Sequence, residues 1–315
     1  MENIKLKNIL NEEVQIKIVD NENDANFITH SGTFHADEVM STVLLLNKFD
    51  TIKLYRTNNV NNNGAFVYDI GFGEFDHHGI DFDKKRENGI KYASCGLIWK
   101  KYGREIISKL NINNVDDFIQ SIDKNLIMDI DRDDNGQSLD VEIPFKIQSI
   151  PSLISAFNPS WDDLSSENSC FLNAVNFANT IFNNIIDKMV SKENARLIVE
   201  EKIEESKDGI LILDRYMPWK DIVLSSSNPK AMDILFAIFP SKRGGYNIVA
   251  TPIEPGSFIV KKAFPSSWAG KEGEELQKIS QVDTITFCHK ALFICACNSF
   301  KDALKIAEIA IKNND

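Results

Sequence analysis

The chain has 315 residues, of which 43% are apolar and 26% are charged, a composition typical of a globular protein. Its 35 basic and 46 acidic residues give a formal net charge of −11, which excludes a generally basic, histone-like binder of nucleic acid but allows a local basic groove. No uncharged apolar run approaches the roughly 18 residues that a membrane helix needs. We therefore expect no membrane partner.

Cysteine usage indicates a reducing compartment. The five cysteines are an odd number, and no Cys-x-x-Cys pair occurs, so a disulfide framework is not expected. The first 25 residues have neither the charged-then-apolar pattern of a signal peptide nor the Arg-rich pattern of a mitochondrial presequence. These features predict a cytoplasmic protein.

The first half of the chain alternates short apolar runs with helical stripes. Residues 1–24 are polar and acidic, and we expect them to form a weakly structured lead-in. Beyond them, strands are predicted at residues 26–30, 52–57 and 65–70, and helices at 35–47, 93–102 and 115–130, with a helix-end signal at Asp134-Asn135-Gly136. This alternation indicates a parallel sheet that is covered by helices on both faces.

The second half begins with a long helix and then changes character. Apolar residues spaced by three and four from Phe171 to Met189 predict one face of a helix that continues towards Glu205. From Gly209 onward, strands are predicted at residues 210–213, 222–225, 234–239, 246–251 and 292–297, followed by a helix at 300–311. We therefore predict an α/β fold in which residues 26–208 form a parallel-sheet domain with a helical connector, and residues 209–315 form a smaller α+β domain.

Four of the five histidines fall in two tight groups, and a run of acids forms a third group. The groups are His30-Ser-Gly-Thr-Phe-His35-Ala-Asp37-Glu38, Asp76-His77-His78, and Asp129-Ile-Asp131-Arg-Asp133-Asp134. Each lies where a predicted strand or helix gives way to a loop, and Asp69 lies near the end of another predicted strand. Because the carboxyl ends of parallel strands form the binding crevice of such a sheet, we expect these side chains to converge there.

Imidazole mixed with carboxylates is ligand chemistry for Mn²⁺, Zn²⁺ or Fe²⁺, and the absence of thiolates excludes a structural zinc finger. Two groups supply more ligands than one ion needs, which favours a pair of ions about 3.5–4 Å apart, bridged by a carboxylate. Each group also has a simpler interpretation. His30 could be an ordinary strand-end histidine, and an aspartate before a helix is usually an N-cap. Asp76-His77-His78 could form a turn, and residues 129–134 could be a solvated helix end or a loose calcium loop. Taken together, the groups favour a metal site.

The order of these residues resembles the four motifs of the DHH phosphoesterase superfamily, which includes RecJ nucleases, oligoribonucleases, manganese pyrophosphatases and cyclic-dinucleotide phosphodiesterases. The closer resemblance is to the Myg-one exonuclease family (the melanocyte-proliferating-gene family). Its pattern Thr-His, Gly, Phe-His, Asp-Glu is matched by residues 29–38. Further matches are Arg56-Thr57, Asp69-Ile70-Gly71, Ser94 and Gly96, Asp134-Asn135-Gly136, and Phe264 to Gly270. The resemblance runs from about residue 26 to the end.

The resemblance implies a DHH-type N-terminal domain and a two-metal phosphodiesterase that trims RNA from 3′ to 5′. It implies that one ion is held by His30, His35 and Asp69, and the other by Asp37, Asp69, His77 and Asp131. His78 would then face the scissile phosphate, while Asp76 would orient an imidazole, as carboxylates commonly do beside metal sites. The nucleophile would be a metal-activated hydroxide. Mn²⁺ is the expected metal, with Zn²⁺, Fe²⁺ and Mg²⁺ as alternatives.

The chain departs from the superfamily pattern at two places. His35-x-Asp37 stands where Asp-x-Asp is usual, and Gly79-Ile80 follows the second motif where Gln and a basic residue are expected. The last ligand is also ambiguous, since it could be any of Asp129, Asp131, Asp133 and Asp134. We choose Asp131 because it lies three residues before Asp134-Asn135-Gly136, as the family's Asp-x-x-Asp-Asn-Gly pattern suggests.

Substrate contacts are expected from both domains. Arg56 belongs to the Arg-Thr match. Lys242-Arg243-Gly244-Gly245 resembles a glycine-bearing phosphate-binding turn, although a basic β-hairpin turn fits equally well. Trp268 is interpreted either as a core residue or as a surface on which a base stacks. For His289 we expect a structural role.

The leading hypothesis is a metal-dependent 3′ to 5′ exonuclease acting on single-stranded RNA or short oligonucleotides. One alternative is a manganese-dependent hydrolase of pyrophosphate or of a small cyclic or oligomeric nucleotide. Another is a metal-binding regulator without catalysis. The sequence leaves the oligomeric state open, a homo-oligomer included.

Overall fold

The computed structural model describes residues 2–61, 64–138 and 144–314. The chain forms two compact units, residues 1–190 and 191–315, and the division falls inside the helix Glu167–Glu205. Our predicted boundary, between residues 208 and 209, follows the end of this helix and stays a prediction. Among the described helices, none combines the length and the apolar character that crossing a membrane requires.

The first unit is built on a sheet whose strand order is β1-β2-β4-β3-β5 among the described residues. The strands are β1 (Asn3–Lys7), β2 (Glu13–Ile18), β3 (Phe27–Thr29), β4 (Thr51–Arg56) and β5 (Phe66–Val67). Neighbouring strands are parallel except at the β1 edge, where β1 runs antiparallel to β2. The prediction of a parallel, helix-covered sheet is therefore confirmed for the strands that carry the site, with an antiparallel strand added at the far edge.

The prediction of a weakly structured lead-in at residues 1–24 is wrong. In β2, Val14, Ile16 and Ile18 are buried and alternate with polar residues, which is the period of a strand with one face on the core. The alternation is short and lies in a polar, acidic segment, so composition alone did not indicate a strand. The hairpin of β1 and β2 extends the sheet beyond β4.

The helices of the first unit cover its sheet. They are α1 (Ala36–Leu46), α2 (Ser94–Ile107), α3 (Val115–Ile122), α4 (Met128–Asp134), α5 (Ile150–Ser155) and the first part of α6 (Glu167–Glu205). Every residue of α1 is buried, which is typical of a helix enclosed between a sheet and further helices. A single π-helical turn, Asp123–Ile127, joins α3 to α4, so the predicted helix at 115–130 exists but changes its winding before the acidic group.

The second unit contains a separate sheet of order β6-β7-β8-β10-β9 within the described residues. Its elements are β6 (Ile210–Ile212), α7 (Lys220–Ser225), α8 (Lys230–Asp233), β7 (Phe236–Pro240), β8 (Tyr246–Ala250), α9 (Gly273–Ser280), β9 (Ile285–Cys288), β10 (Ile294–Cys297) and α10 (Phe300–Lys312). The pair β6–β7 is parallel and the remaining pairs are antiparallel, as an α+β unit requires.

One predicted strand of the second unit is a helix. Residues 222–225 belong to α7, in which the consecutive residues Ile222 and Val223 are both buried. Two adjacent buried residues cannot both face one side of a strand, whereas a short helix that packs into a corner buries both. A four-residue apolar run fits either structure in sequence, so only packing distinguishes them.

Candidate metal centre

The candidate site lies at the carboxyl edge of two neighbouring parallel strands. His30 follows β3, and Asp69 comes two residues after β5, which pairs with β3. Both side chains therefore emerge at the same edge of the sheet, as the sequence predicts. Asp69 has a φ of 57°, the left-handed conformation that a residue with a side chain seldom adopts. Such backbone strain is characteristic of functional sites.

Asp69 stands between two groups of histidines. Its Oδ2 lies 3.4 Å from Nε2 of His30, and its Oδ1 lies 3.6 Å from Nδ1 of His77. The hydroxyl of Ser94 donates a hydrogen bond of 3.3 Å to Oδ1. The two oxygens of one carboxylate thus face different imidazoles, which is the arrangement that a bridging ligand needs.

The first group consists of His30, His35 and Glu38, whose potential ligand atoms lie within 4.8 Å of one another. Nε2 of His30 is 2.9 Å from Oε1 of Glu38, which is fully buried. Burial lowers the pKa of His30, but contacts with Asp69 and Glu38 outweigh it and raise the pKa to about 10. The group combines two imidazoles with a carboxylate, and these are donors that first-row divalent metals accept.

Glu38 is a candidate ligand that the sequence did not reveal. Its carboxylate accepts hydrogen bonds of 2.9 and 3.0 Å from the backbone N–H of His35, which closes the first turn of α1. A glutamate at this position is ordinarily interpreted as part of a capping box. The available signal was its place directly after Asp37 in the His-x-Asp-Glu pattern.

The second group consists of Asp37, His77 and Asp134. Nε2 of His77 lies 2.8 Å from Oδ2 of Asp134, and Nδ1 of His77 lies 4.0 Å from Oδ2 of Asp37. Nδ1 of His77 is buried and has no hydrogen-bond partner among the described residues. A buried imidazole nitrogen without a partner that faces the carboxylates of Asp37 and Asp69 is what a cation site requires. Asp134, at the opposite nitrogen, lies where a carboxylate commonly orients a metal-binding imidazole.

Asp37 is held in place by the amino terminus of α2. Its Oδ1 accepts a hydrogen bond of 2.6 Å from the backbone N–H of Cys95, and its Oδ2 accepts one of 2.9 Å from Ser94. Burial raises the pKa of Asp37 well above its usual range, and the neighbouring carboxylates of Asp69 and Asp134 raise it further. So many carboxylates in one buried site repel each other, and a divalent cation would neutralise them.

Asp131, our predicted last ligand, lies outside both groups. Its Oδ1 accepts a hydrogen bond of 2.9 Å from the backbone N–H of Gly96, and its Oδ2 lies 2.7 Å from Nη1 of Arg86. Burial raises the pKa of Asp131 to about 7, in spite of the contact with Arg86. The structure brings Asp134, three residues later, into contact with His77 instead.

Asp76 orients the imidazole of His78. Its Oδ1 lies 2.7 Å from Nδ1 of His78 and accepts a hydrogen bond of 3.0 Å from the His78 backbone N–H, and its Oδ2 accepts one of 2.6 Å from Phe72. Burial raises the pKa of Asp76, but these hydrogen bonds outweigh it and lower the pKa to about 2. The side chain of His78 is 54% exposed, and Asp76 raises its pKa. Asp76 therefore fixes the orientation of the His78 imidazole, while its side chain stays accessible to solvent.

An open cleft of about 720 Å³ lies over these groups. Its lining includes His30, His35, Asp69, His78 and Asp134. This volume is within the usual range of ligand sites in proteins. His30, His35 and Asp69, which we predicted as metal ligands, thus line the same cleft as Asp134.

Arg56, a predicted substrate contact, is buried beneath the site. Its guanidinium donates hydrogen bonds to the carbonyl oxygens of His30 at 3.2 Å and Gly32 at 2.9 Å, and it lies 4.5 Å from the ring centre of Phe171. Arg56 is not among the described residues that line the cleft. Its observed contacts position the turn after β3, so its role in the structure is to support His30.

The glycine-bearing turn of the second unit is a β-hairpin turn. Lys242, Arg243, Gly244 and Gly245 connect the antiparallel strands β7 and β8, and Lys242 and Arg243 are exposed. A side chain at position 245 would overlap the carbonyl oxygen of Cys297 on β10, which explains the glycine there. The hairpin alternative is confirmed, and substrate binding by this turn stays a prediction.

Trp268 belongs to the core of the second unit. It is 2% exposed and its ring is stacked against Phe264 with 6.3 Å between the ring centres. The expectation that Trp268 presents a surface to a base is therefore wrong, and the core alternative is right. For His289, Nδ1 accepts a hydrogen bond of 3.1 Å from the backbone N–H of Ala291, which agrees with the expected structural role.

The fold and the site define an α/β protein with a His and carboxylate centre, suited to divalent metal, at the carboxyl edge of a sheet. Residues 26–311 match the MYG1_exonuc model, described as an uncharacterised protein family (UPF0160), and the chain belongs to this family. The resemblance to the Myg-one family, drawn from the motifs, is thereby confirmed.

Relatives across eukaryotes are similar over nearly the whole chain. The MYG1 protein of Dictyostelium discoideum is 30% identical over 90% of this chain and 95% of its own. A MYG1 protein of Saccharomyces cerevisiae is 28% identical over 90% of this chain and 94% of its own. The MYG1 exonuclease of Homo sapiens is 25% identical over 90% of this chain and 85% of its own. No solved structure matches the chain.

Proposed function

We propose that the protein is a metal-dependent phosphodiesterase of the DHH type, which removes nucleotides from the 3′ end of single-stranded RNA or short oligonucleotides. The observation that carries the proposal is the position of Asp69, whose two oxygens face His30 on one side and His77 on the other. The names of the mammalian relatives, MYG1 exonuclease, support a nuclease.

Two divalent ions would be held by the two groups of side chains. His30, His35, Glu38 and Asp69 would hold one ion, and Asp37, Asp69 and His77 the other, with Asp134 orienting the imidazole of His77 through its opposite nitrogen. Asp134 thus belongs to the proposed site in place of Asp131, whose carboxylate is held by Arg86 and by the backbone N–H of Gly96. The mixture of nitrogen and oxygen donors is compatible with Mn²⁺, which the family resemblance favours, and with Zn²⁺, Fe²⁺ or Mg²⁺. Such ions activate water as a nucleophile and neutralise charge on a phosphoryl group.

The chain itself would supply the contact with the scissile phosphate. Asp76 holds Nδ1 of His78, which directs Nε2 away from that carboxylate, and it favours the protonated imidazole by raising its pKa. A protonated His78 would donate a hydrogen bond to a phosphate oxygen and stabilise its negative charge. Asp37, fixed by the N–H groups of α2, would keep the second metal site rigid.

The second domain would hold the rest of the substrate. Lys242 and Arg243 are exposed side by side at a hairpin turn, and they offer two positive charges to a polynucleotide backbone. We also propose a cytoplasmic location, in agreement with five cysteines that are all free.

The proposal is tested by a cleavage assay with 5′-labelled single-stranded RNA and a DNA twin, each with Mn²⁺ and with EDTA. We expect a descending ladder of labelled RNA with Mn²⁺ that is lost in EDTA and in Asp69→Asn. Intact RNA and DNA alongside measurable bound metal would contradict a nuclease. That result would favour a small phosphate substrate such as pyrophosphate, or a regulator without catalysis.

A further inference from the structure

An apolar groove opens beside the metal cleft in the first unit. It has a volume of about 540 Å³, and it shares Phe72, Asp76 and His78 with the lining of the cleft, so the two spaces are adjacent. Ile80 and Phe82 form the rest of its apolar lining. The groove therefore begins at the imidazole that we place next to the scissile phosphate.

Two of the apolar side chains of this groove are exposed, and hydrogen bonds hold the backbone of the segment that carries them. Phe72 is 76% exposed and Ile80 is fully exposed, and apolar side chains grouped at the mouth of a cleft commonly mark a binding site. The backbone N–H of Phe72 donates to Asp76, and that of Phe82 donates a hydrogen bond of 2.9 Å to the carbonyl of Gly79. The ring of Phe82 lies 6.3 Å from that of His77, edge to face. The groove is thus attached to the residues of the metal centre.

The groove and the cleft together favour one class of substrate. An inorganic pyrophosphate offers only oxygen atoms, which Phe72 and Ile80 cannot recognise. A nucleotide offers a planar base next to its phosphate, and aromatic side chains bind such bases by stacking whatever their sequence. Because the groove borders the cleft at His78, a base that occupies it would belong to a nucleotide flanking a phosphate in the cleft.

We propose that Phe72, Ile80 and Phe82 form a subsite for the base of a nucleotide that flanks the scissile phosphate. The inference rests on the proposed function and narrows its substrate class to nucleoside-bearing phosphodiesters. Inorganic pyrophosphate is then a poor substrate. Because stacking does not depend on base identity, the subsite confers little sequence preference.

The test uses substrates that differ only in the bases. One is a 5′-labelled single-stranded oligonucleotide, and its twin has abasic residues on both sides of the last phosphodiester. The wild-type protein should release the terminal nucleotide from the intact oligonucleotide about 5- to 100-fold faster than from the abasic twin, since stacking on one aromatic side chain commonly has this effect. In Phe72→Ala this preference should fall towards one, because only the intact substrate loses a contact.

A matched control is provided by Phe145→Ala. Phe145 is 67% exposed in the same unit, and it is not among the described residues that line the cleft or the groove. This variant should keep the wild-type preference for bases. Ile80→Ala, which removes an exposed side chain of the groove, should reduce the preference less than Phe72→Ala because it removes no ring. An unchanged preference in Phe72→Ala would overturn the proposal.

A binding measurement separates this proposal from the proposed function. In EDTA, saturation transfer from the protein to the thymine protons of thymidine 5′-monophosphate should be seen for the wild type and Phe145→Ala, and lost in Phe72→Ala. Saturation transfer with this pattern but without nuclease activity would support the base subsite and reject the proposed nuclease function. Nuclease activity with equal rates on both substrates, and without transfer, would reject the groove and retain the nuclease.

Discussion

The backbone N–H of Gly96 and the carboxylate of Asp131 are in direct contact, with a hydrogen bond of 2.9 Å between them. Any side chain at position 96 would overlap the carboxylate, so the first turn of α2 can approach α4 only with a glycine there. The contact joins two elements that both border the candidate metal centre: α2 holds Asp37, and α4 ends at Asp134.

We expect Gly96→Ala to destabilise the protein, because the added methyl group displaces a buried carboxylate that is paired with Arg86. The free energy of unfolding should fall by about 1–3 kcal/mol, the usual cost of overpacking a core. Urea denaturation measures it. Gly73→Ala is the control, since nothing lies within 4 Å of the position of its methyl group. Equal stability of both variants would contradict the packing described here.

Asp131→Ala should reduce stability, whereas Asp134→Ala should reduce metal binding. Loss of Asp131 leaves a buried N–H group and one side of Arg86 unpaired, so we expect a loss of about 1–3 kcal/mol in the free energy of unfolding. Loss of Asp134, which is only partly buried, should change stability little but reduce bound metal. Urea denaturation and metal analysis of the same samples test both. A stable Asp131→Ala protein that has lost metal would restore the assignment made from motif spacing.

Asp69→Asn should weaken both proposed metal sites at once, because the amide cannot supply two negatively charged oxygens to two ions. Since even residues that only support metal ligands contribute 10- to 100-fold to activity or affinity, we expect activity to fall by at least about 100-fold. Bound metal should stabilise the wild type by about 3 kcal/mol at a hundred times its dissociation constant. Thermal unfolding with and without Mn²⁺ measures this, and the shift in Tm should shrink in Asp69→Asn. An equal Mn²⁺-dependent shift in Tm for both proteins would show that Asp69 is not a metal ligand.

Asp76 should contribute stability that depends on pH. The pKa of its carboxyl group is lowered to about 2 in the folded protein, so its contribution is complete above the unfolded pKa near 4 and is lost as the pH falls towards 2. In EDTA, Asp76→Asn should therefore be about 2 kcal/mol less stable than the wild type at pH 7, and the difference should narrow below about pH 4. Urea denaturation between pH 3 and pH 7 tests it. A stability difference between the wild type and Asp76→Asn that widens as the pH falls would contradict this prediction.

The carboxyl edge of the sheet could be predicted from local pattern. The apolar runs and stripes that predict β3, α1 and β4 reflect periodicity, which depends on residues close together in the chain. The order of strands and helices then brings His30 and Asp69 to one edge, because parallel neighbours end on the same side. The motif order was sufficient to identify the family, a result that the match over residues 26–311 confirms.

Burial and long-range pairing decided the rest. Asp131 and Asp134 are three residues apart on one helix and face similar directions, so spacing alone does not distinguish them. The carboxylate of Asp131 is held by Arg86 and by the backbone N–H of Gly96, which are both distant in sequence. Asp134 contacts His77 instead. Trp268 likewise offers the same ring to a core or to a base, and only the packing of Phe264 against it places it inside. Residue type and spacing thus determined which chemistry the chain carries, and tertiary contacts decided which side chains are free to perform it.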